Sequence, residues 1–390
     1  MNTTIIQPAN RLQSVQEYYF SSKLAQIREM NANGQSIINL GIGNPDMAPS
    51  ESTLKGLMAA ANESTNHGYQ SYTGIPELRN AFANWYADFY QVTLHPDSEI
   101  LPLLGSKEGI MHISLAFLNP GDEVLVPDPG YPAYKAVAAL CEAKSVVYDL
   151  KESLDWCPDF DELEKMDLSK VKLMWINYPN MPTGKAASMR LFSKLIAFGK
   201  KHRILIVNDN PYSLISTDKP LSILAVDGAK EIAIELNSLS KSHNMAGWRV
   251  GMIGAGAHFI ASILKVKSNM DSGMFKPIQL AAAEALKSSE EWYAAQRKVY
   301  IDRKEIGKKI MHNLGCQIND DTSGMFMWAK IPESEKSSLD FSEKLLANNK
   351  VFVTPGFIFG KNGERFIRLS LANDEKVLNE ALNRTLNKEI

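Results

Sequence analysis

The amino-acid sequence predicts an α/β fold, in which helices cover both faces of a mostly parallel sheet, together with a smaller α+β domain. Between residues 51 and 287, short apolar runs rich in β-forming residues alternate with longer helical patterns. Polar residues and turn formers follow most of these runs, and the pattern changes after residue 288. These observations predict a three-layer α/β/α large domain and a second domain.

The predicted elements of the large domain alternate along the chain. Helical patterns begin near Ser52 and include 108–117, 134–140 and 189–201. The predicted strands are Ile100–Leu104, Glu123–Val126, Ser145–Tyr148, Lys172–Ile176, Ile204–Val207, Ile232–Leu236 and Val250–Ile253. Strands separated by helices are typical of a parallel sheet that is buried on both faces.

The chain from residue 288 onward combines helices and strands differently. It contains a long charged helix, a strand, a second helix and two more strands, at Ser289–Leu314, Phe326–Ile331, Leu339–Asn348, Val351–Val353 and Phe366–Leu371. We therefore expect a large domain over residues 51–287 and a small domain built from residues 1–50 and 288–390.

The composition favours a small-molecule substrate over a polymer. The 390 residues are 45% hydrophobic and carry a formal net charge of -2, so neither a basic nucleic-acid surface nor an acidic tail is indicated. Three distant cysteines and seven scattered histidines predict neither a disulfide framework nor a metal site. With no signal-peptide pattern and no apolar stretch of bilayer length, we expect a cytoplasmic protein.

Polar segments follow the predicted strands at their carboxyl ends. GSK follows the first strand, PDPGYP the second, NYPNMPTG the fourth, NDNPY the fifth and NSLSKS the sixth. In open α/β sheets the ligand binds beyond the carboxyl ends of the strands. We therefore expect these segments to build one shared site.

Lys241 is the central catalytic candidate. It lies in the segment NSLSKSHNMAGWR, directly after a predicted strand. Ser238, Ser240 and Arg249 in this segment offer two hydroxyl donors and a forked cation, which are groups that hold a phosphate. A partly desolvated lysine beside them can form an imine with an aldehyde, because burial lowers its pKa. A lone lysine would be assigned to the surface, but these neighbours favour catalysis.

Asp209 and Tyr212 lie in the segment NDNPY, where the fifth predicted strand ends. A buried carboxylate can keep a pyridine nitrogen protonated, which makes the ring an electron sink. Tyr212 can donate a hydrogen bond to a phenolate oxygen on the same ring. The alternatives are a turn or N-cap carboxylate and a packed core tyrosine.

Two further segments could contact a phosphorylated ring. Gly105, Ser106 and Lys107 open a helix directly after a strand, and backbone N–H groups at such a position bind phosphate. Tyr131 is held between two prolines and could stack on a planar ring. The first segment is also compatible with an ordinary helix cap, and the second with a packed turn.

Together, these segments resemble the class I/II aminotransferases, fold type I enzymes that depend on pyridoxal 5′-phosphate (PLP). The resemblance extends from LGIGNPD at residues 40–46 to the strand near residue 372. Within the family, HGYQSYTGIPELR, GSKEGIMHISLAFLNPGDEVLVPDPGYPAY and KSNMDSGMFKPIQ are most similar to the LL-diaminopimelate aminotransferase group. The resemblance implies a ping-pong transfer of an amino group from an L-amino acid to a 2-oxo acid.

The resemblance also implies roles for the matching residues. Lys241 would carry PLP as an imine and act as general base, and Arg368 would clamp the substrate carboxylate with help from the backbone near Gly43. Tyr72 would reach the phosphate of a neighbouring subunit, which implies a homodimer. The remaining contacts with the cofactor would come from Gly105, Ser106, Lys107, Tyr131, Asp209, Tyr212, Ser238, Ser240 and Arg249.

One position departs from the family pattern. The family's loop has Asn-Pro-Thr-Gly, and its Asn contacts both the phenolate oxygen and the substrate carboxylate; here Met181 takes that place. A thioether is a poor acceptor and no donor, so we expect a weaker carboxylate clamp and a raised imine pKa. Asn180, or a water, is expected to substitute in contacting the cofactor.

Several alternatives stay open at the level of sequence. A C–S lyase or a decarboxylase could use the same scaffold, and the Met181 departure would also suit a PLP-binding protein with weak turnover. A nucleotide site at residues 251–256 has the wrong glycine spacing for a dinucleotide motif. His243 either lines the pocket or packs in the core, and the amino donor and acceptor are not specified.

Overall fold

The structure, a computed structural model, describes residues 6–15, 19–320, 322 and 324–386. Within these ranges, no helix combines the length and apolar character needed to cross a membrane. The strands are β1 (Ile38–Asn39), β2 (Ile100–Leu103), β3 (Glu123–Asp128), β4 (Lys144–Asp149), β5 (Val171–Ile176), β6 (Leu205–Asp209), β7 (Ala233–Ser238), β8 (Gly251–Ala255), β9 (Gln317–Ile318), β10 (Phe326–Lys330), β11 (Val351–Phe352), β12 (Thr354–Pro355) and β13 (Phe366–Ser370).

The α-helices range from single turns to six turns or more. They are α1 (Tyr19–Ala32), α2 (Glu51–Asn62), α3 (Pro76–Tyr90), α4 (Ser106–Phe117), α5 (Ala133–Leu140), α6 (Phe160–Leu163), α7 (Met189–His202), α8 (Ser213–Ser216), α9 (Leu239–Ser242), α10 (Ala257–Lys267), α11 (Lys276–Ala285), α12 (Glu290–Asn313), α13 (Ser338–Asn349) and α14 (Glu375–Leu386).

Seven strands form the central sheet in the order β2-β8-β7-β6-β5-β3-β4. Neighbouring strands are parallel except at β8, which runs antiparallel to both β2 and β7. The connection from β7 to the antiparallel β8 contains the one-turn helix α9. All seven strands predicted for this region are present, with ends within two residues of those expected. The mostly parallel sheet is therefore confirmed.

Alternate residues of the central strands fill two hydrophobic cores. In β5, Leu173 and Trp175 belong to one core, whereas Met174 and Ile176 belong to the other. Successive side chains on a strand point to opposite faces, so the sheet is buried on both sides. Helices α4, α5 and α10 cover one face, and α3 and α7 cover the other. This confirms the predicted three-layer arrangement.

Helix α7 illustrates how the local sequence defines these layers. Ser188 accepts the backbone N–H of Leu191 at 3.1 Å and caps the helix at its start. Leu191, Leu195 and Phe198 lie on one face, because residues three and four positions apart are neighbours on a helix. The helix ends where Arg203 adopts a left-handed conformation.

The C-terminal part of the chain forms a separate antiparallel sheet in the order β12-β13-β10-β9. The N-terminal region joins this part through β1, whose Ile38 pairs with Val351 of β11. The predicted strand at 351–353 is instead two short strands, because the chain leaves β11 after Phe352 and enters the other sheet as β12. The division of the chain into domains at residues 51 and 288 stays a prediction.

Candidate active site

A cavity of about 490 Å³ lies beside the carboxyl ends of β5, β6 and β7. Helix α1, strand β10 and strand β13 contribute the opposite wall. The predicted residues that line it are Gly43, Ser106, Lys107, Tyr131, Asp209, Tyr212, Ser238, Ser240, Lys241, Arg249 and Arg368. A larger groove of about 850 Å³ lies between α2, α3 and α11, but its lining includes none of the predicted site residues. Most of the predicted site residues therefore come together at the smaller cavity.

Lys241 lies on the one-turn helix α9, which begins where β7 ends. The Ser238 hydroxyl accepts a backbone N–H two residues later at 3.2 Å, and so caps this turn. The Nζ atom of Lys241 donates to the carbonyl oxygen of Gly43. Burial, with smaller contributions from Arg368 and Arg249, lowers the pKa of Lys241 to about 8. A sizeable fraction of this amine is therefore neutral and nucleophilic near pH 8.

Asp209 occupies the last position of β6 and is 5% exposed. Its Oδ2 atom accepts the Tyr134 hydroxyl at 3.0 Å, whereas Oδ1 has no hydrogen-bond partner among the described residues. Burial raises the pKa of Asp209 to about 7, although the Tyr134 hydrogen bond opposes this. A cationic N–H group at Oδ1 would supply the missing hydrogen bond and favour the carboxylate.

Two residues that hold Asp209 in place through hydrogen bonds were not predicted from the sequence. Tyr134 stacks on Trp175, with ring centroids 4.9 Å apart, and this contact directs its hydroxyl to Asp209. The side chain of Asn177 donates to the carbonyl oxygen of Asp209. Both residues belong to segments already singled out at strand ends, PDPGYPAY and NYPNMPTG. Their position after a strand was the available signal.

The predicted phosphate ligands form one corner of the cavity. Ser238 donates its hydroxyl to the Ser240 hydroxyl at 2.9 Å, and Arg249 Nη1 donates to the same oxygen at 3.3 Å. Helix α4 begins at Ser106, so the positive end of its dipole adds to these donors. Gly105 has a φ of 85°, and a Cβ there would overlap the Arg249 guanidinium. This corner can hold a phosphate dianion.

Arg368 lies in β13 and is 5% exposed. Its guanidinium carbon is 4.1 Å from the ring centroid of Phe326 and 4.8 Å from that of Phe359. Its Nη2 atom donates to the carbonyl oxygen of Gly41 at 2.8 Å. These contacts hold the guanidinium in one orientation at the cavity. Arg365, in contrast, donates to carbonyl oxygens of the loop after β10 and does not line the cavity.

The structure distinguishes Met181 from Asn180. Met181 lines the cavity, and its sulfur lies 3.2 Å from Nη1 of Arg368. Asn180 is not among the lining residues, because its Oδ1 accepts the Thr183 hydroxyl at 2.7 Å and its Nδ2 donates to the carbonyl oxygen of Asn177 at 3.1 Å. The amide of Asn180 therefore holds the turn, and its predicted contact with the cofactor stays a prediction.

The three predicted tyrosines lie in two places. Tyr131 and Tyr212 line the cavity, where Tyr131 packs edge-on against Tyr134 at 5.6 Å and Tyr212 packs edge-on against Phe326 at 5.8 Å. Tyr72 lies outside the cavity and is 45% exposed. Its contact with the phosphate of a neighbouring subunit stays a prediction.

His243 packs in the core and does not line the cavity. Its ring stacks on Trp292 at 5.7 Å, and its Nε2 atom shares a hydrogen bond of 2.7 Å with the Tyr293 hydroxyl. The side chain is buried, and this burial lowers the pKa of His243 to about 3. His243 is therefore a neutral core residue, which decides between the two alternatives left open by the sequence.

Glu108, His112 and Asp271 come together in the structure although their sequence spacing indicates no metal site. Their nearest possible ligand atoms all lie within 4.8 Å of one another. Glu108 Oε1 lies 3.1 Å from His112 Nε2, and Lys267 forms an ion pair with Asp271 at 2.6 Å. The Lys267 ammonium therefore already supplies a cation beside Asp271.

Comparison with known proteins identifies the family. The model of the family "Aminotransferase class I and II" matches residues 35–384. The chain is 39% identical to the LL-diaminopimelate aminotransferase of Dehalococcoides mccartyi strain 195, over 97% of this chain and 98% of that protein. It is 38% identical to the LL-diaminopimelate aminotransferase of Aquifex aeolicus, over 98% of this chain and 99% of that protein.

Solved structures show the same relationship. Apo-BacF from Bacillus subtilis superposes with a TM-score of 0.94 at 34% identity, covering 99% of both chains. Aspartate aminotransferase from Thermus thermophilus with maleate superposes with a TM-score of 0.91 at 24% identity, covering 98% of this chain and 99% of that one, which shows the shared fold.

The fold is that of the fold type I enzymes, and the cavity at its strand ends contains a buried lysine. The chain belongs to the aminotransferase class I and II family. It is a PLP-dependent aminotransferase, which confirms the main functional prediction, and the comparisons do not support the lyase alternative.

Proposed function

We propose that PLP binds in the cavity beside β6 and β7 and that amino transfer takes place there. The convergence of Lys241, Asp209 and Arg368 on this single cavity carries the proposal. They supply an amine of lowered pKa, a buried carboxylate with one unpaired oxygen, and a guanidinium suited to a carboxylate. These are the three kinds of group that transamination of an amino acid requires.

The lining residues fit PLP. The unpaired Oδ1 of Asp209 would accept the N–H of the pyridinium ring, and the corner formed by Ser238, Ser240 and Arg249 would hold the phosphate. Tyr212 would donate its hydroxyl to the phenolate oxygen. When bound, PLP supplies an electron-poor ring that accepts the electron pair released from the substrate Cα–H bond.

The chain's own groups would position the substrate and move the proton. Arg368 would bind the α-carboxylate through two parallel N–H groups and so orient the substrate Cα. Once the donor amine has displaced it, the Lys241 amine would carry a proton between the substrate Cα and the C4′ atom of the cofactor. Asp209 would keep the ring nitrogen protonated. The site would release a 2-oxo acid with the uptake of one water, retain the amino group, and pass it to a second 2-oxo acid with the return of that water.

We also propose that the enzyme is a cytoplasmic homodimer. In this dimer, Tyr72 would contact the phosphate bound by the partner. Tyr69, Tyr72 and Phe275 are 93%, 45% and 44% exposed, respectively. Their loops are adjacent, since a Cβ at Gly273 would overlap the carbonyl oxygen of Gln70. Clustered exposed aromatic side chains favour a covered interface. Sedimentation velocity of the PLP-loaded protein would detect the dimer, and a monomer at micromolar concentration would contradict it.

A half-reaction screen tests the proposed function. The PLP-loaded protein would be mixed with single amino acids, and the loss of its visible absorbance would be followed together with the 2-oxo acid released. The panel would include aspartate, glutamate, alanine, methionine, aromatic amino acids and LL-diaminopimelate, which appears in the names of the relatives. Release of pyruvate with ammonia, or of CO2, would indicate a lyase instead. Conversion of none of these donors would contradict the proposal.

The lowered pKa of Lys241 predicts how the capture of PLP depends on pH. Only the neutral amine attacks the aldehyde, so the capture rate constant should rise about tenfold per pH unit at low pH and level off above about pH 8. Stopped-flow absorbance after mixing PLP-free protein with PLP would measure this profile. Nα-acetyl-lysine is the control, because its ε-amine should level off only above about pH 10. A protein profile that matches this control would contradict the prediction.

The position of Met181 predicts the effect of restoring the family's asparagine. In Met181→Asn, the new amide would donate to the phenolate oxygen and stabilise its anionic form. The imine pKa, read from the visible-absorbance titration of the PLP-loaded protein, should therefore fall by about one unit. A change of one pKa unit corresponds in free energy to about one hydrogen bond. Met181→Leu is the matched control, since it keeps the apolar contact and should leave this pKa unchanged. Equal values for the two variants would show that residue 181 does not contact the cofactor.

A further inference from the structure

We infer that the side chain of the amino donor binds in an apolar chamber walled by helix α1, so that donors with uncharged, apolar side chains are preferred. This inference rests on the proposed function, because the places of Arg368 and Lys241 define where a donor's carboxylate and Cα would lie. We define the apolar chamber as the part of the cavity lined by Phe20, Leu24, Ile42, Met181, Phe326 and Phe359.

The cavity is lined by both charged and apolar side chains. Asp209, Lys107, Lys241 and Arg249 are among the lining residues proposed to hold the cofactor. None of the six residues that define the apolar chamber is charged. The Lys241 ammonium, which donates to Gly43, and the Arg368 guanidinium, which contacts Met181, adjoin it, and the α-carboxylate of the donor would neutralise Arg368. A second carboxylate or an ammonium on the donor would therefore enter the chamber without an opposite charge from this lining. Burying an unpaired charge is strongly unfavourable.

Helix α1 forms the wall of the chamber with one apolar edge. Phe20 and Leu24 are one turn apart, so both side chains lie on the same face of the helix. Lys23 between them is directed elsewhere: its ammonium pairs with Glu343 of α13 at 2.5 Å. The cation nearest to the chamber in this helix is therefore already neutralised and is not part of the lining.

The helix is also held in place by packing outside the cavity. Ile27, one turn further along, packs in a small cluster with Ile37, Leu346 and Phe352. Together with the ion pair of Lys23, this cluster fixes α1 against α13 and β11. Phe20 and Leu24 therefore present a formed apolar surface, which favours an apolar side chain through the surface that both remove from water.

The aromatic surroundings of Arg368 agree with this assignment. Phe326 and Phe359 lie over its guanidinium, and Met181 contacts its Nη1 atom. With the donor's carboxylate on Arg368, its side chain would extend from the Cα beside these same rings. An aromatic or aliphatic side chain gains contacts with them, whereas the distal amino and carboxyl groups of a diamino dicarboxylate do not.

Donor preference in the half-reaction is the first test. With the PLP-loaded protein, L-phenylalanine, L-leucine and L-methionine should have kcat/KM values about tenfold or more above those of L-glutamate and LL-diaminopimelate. Faster conversion of glutamate or LL-diaminopimelate would overturn the inference while leaving the proposed function intact. Failure of every donor would contradict the proposed function instead.

Binding of unreactive carboxylates gives a readout that is independent of turnover. Isothermal titration calorimetry should give a Kd for 3-phenylpropionate about tenfold or more below that for glutarate. Both compounds carry a carboxylate for Arg368, and they differ in the group that would enter the chamber. Equal affinities, or tighter binding of glutarate, would overturn the inference.

Variants in α1 test whether this helix determines the preference for apolar donors. Leu24→Arg should reverse the order and favour glutarate and glutamate, because the new guanidinium would pair with a second carboxylate. Ala25→Arg is the matched control, since Ala25 is an exposed neighbour outside the lining, and it should behave like the parent. If circular dichroism shows that Leu24→Arg is misfolded, Leu24→Ala replaces it and should weaken 3-phenylpropionate several-fold but not glutarate. Unchanged selectivity in a folded Leu24 variant would contradict the role of helix α1.

Discussion

Replacing Lys241 with alanine is expected to lower kcat/KM for amino transfer by about 10³-fold or more, the largest effect of any single substitution considered. The variant loses both the amine that would hold the aldehyde carbon of PLP and the base that would move the Cα proton, and a positioned base alone contributes roughly 10²–10⁴-fold. Steady-state release of 2-oxo acid with a saturating acceptor would measure the loss. A variant that transaminates as fast as its parent would refute the proposed site.

Two controls separate this loss from damage to the fold. Lys265→Ala removes an exposed lysine of α10 that lies outside the cavity, and it should retain the parent's activity. Added methylamine should restore part of the proton transfer to Lys241→Ala but should not change Lys265→Ala, because only the first variant lacks a base. Circular dichroism should show the same secondary structure for both variants.

Asp209→Asn is expected to lower kcat/KM by about 10²–10³-fold, which is the usual size of the loss of one preorganised charge at a reaction centre. The amide keeps the shape of the side chain but does not hold the ring nitrogen protonated. Tyr134→Phe provides the comparison, since it removes one hydrogen bond to Asp209 and leaves the charge; its loss should be about tenfold or less. Equal losses in the two variants would show that the carboxylate charge is not required.

Asp209→Asn should also stabilise the protein when PLP is absent. Burial raises the pKa of Asp209 from 3.8 to about 7, so the folded state holds a proton over this interval that the unfolded chain has released. The free energy of unfolding therefore decreases as the pH rises from about 4 to about 7. Above pH 7 the loss of stability from burying the charged carboxylate is complete. Thermal unfolding at pH 8 should give a higher Tm for PLP-free Asp209→Asn than for its parent. A lower Tm would show that the buried carboxylate is favourably paired.

Much of the fold and of the cavity follows from local signals. Alternating strand and helix patterns predicted the central sheet with strand ends correct to within two residues. Because the carboxyl ends of parallel strands meet along one edge, polar segments after successive strands were expected to meet, and Asp209, Ser238 and Lys241 do line one cavity. Strand 351–353 was the exception, since its residues pair with two different sheets and pairing partners are not visible locally.

The sequence by itself determined the layers of the sheet, the family and the residues that follow each strand. Only the tertiary structure decided which of those side chains face the cavity. Asn177 and Met181 line it, and Met181 contacts Arg368 there, whereas Asn180 does not line it and His243 packs in the core. Sequence periodicity reports local backbone preference and burial, whereas these contacts join residues far apart in the chain, 187 positions in the case of Met181 and Arg368. Such contacts depend on how complete elements pack, and packing exists only once the chain has folded.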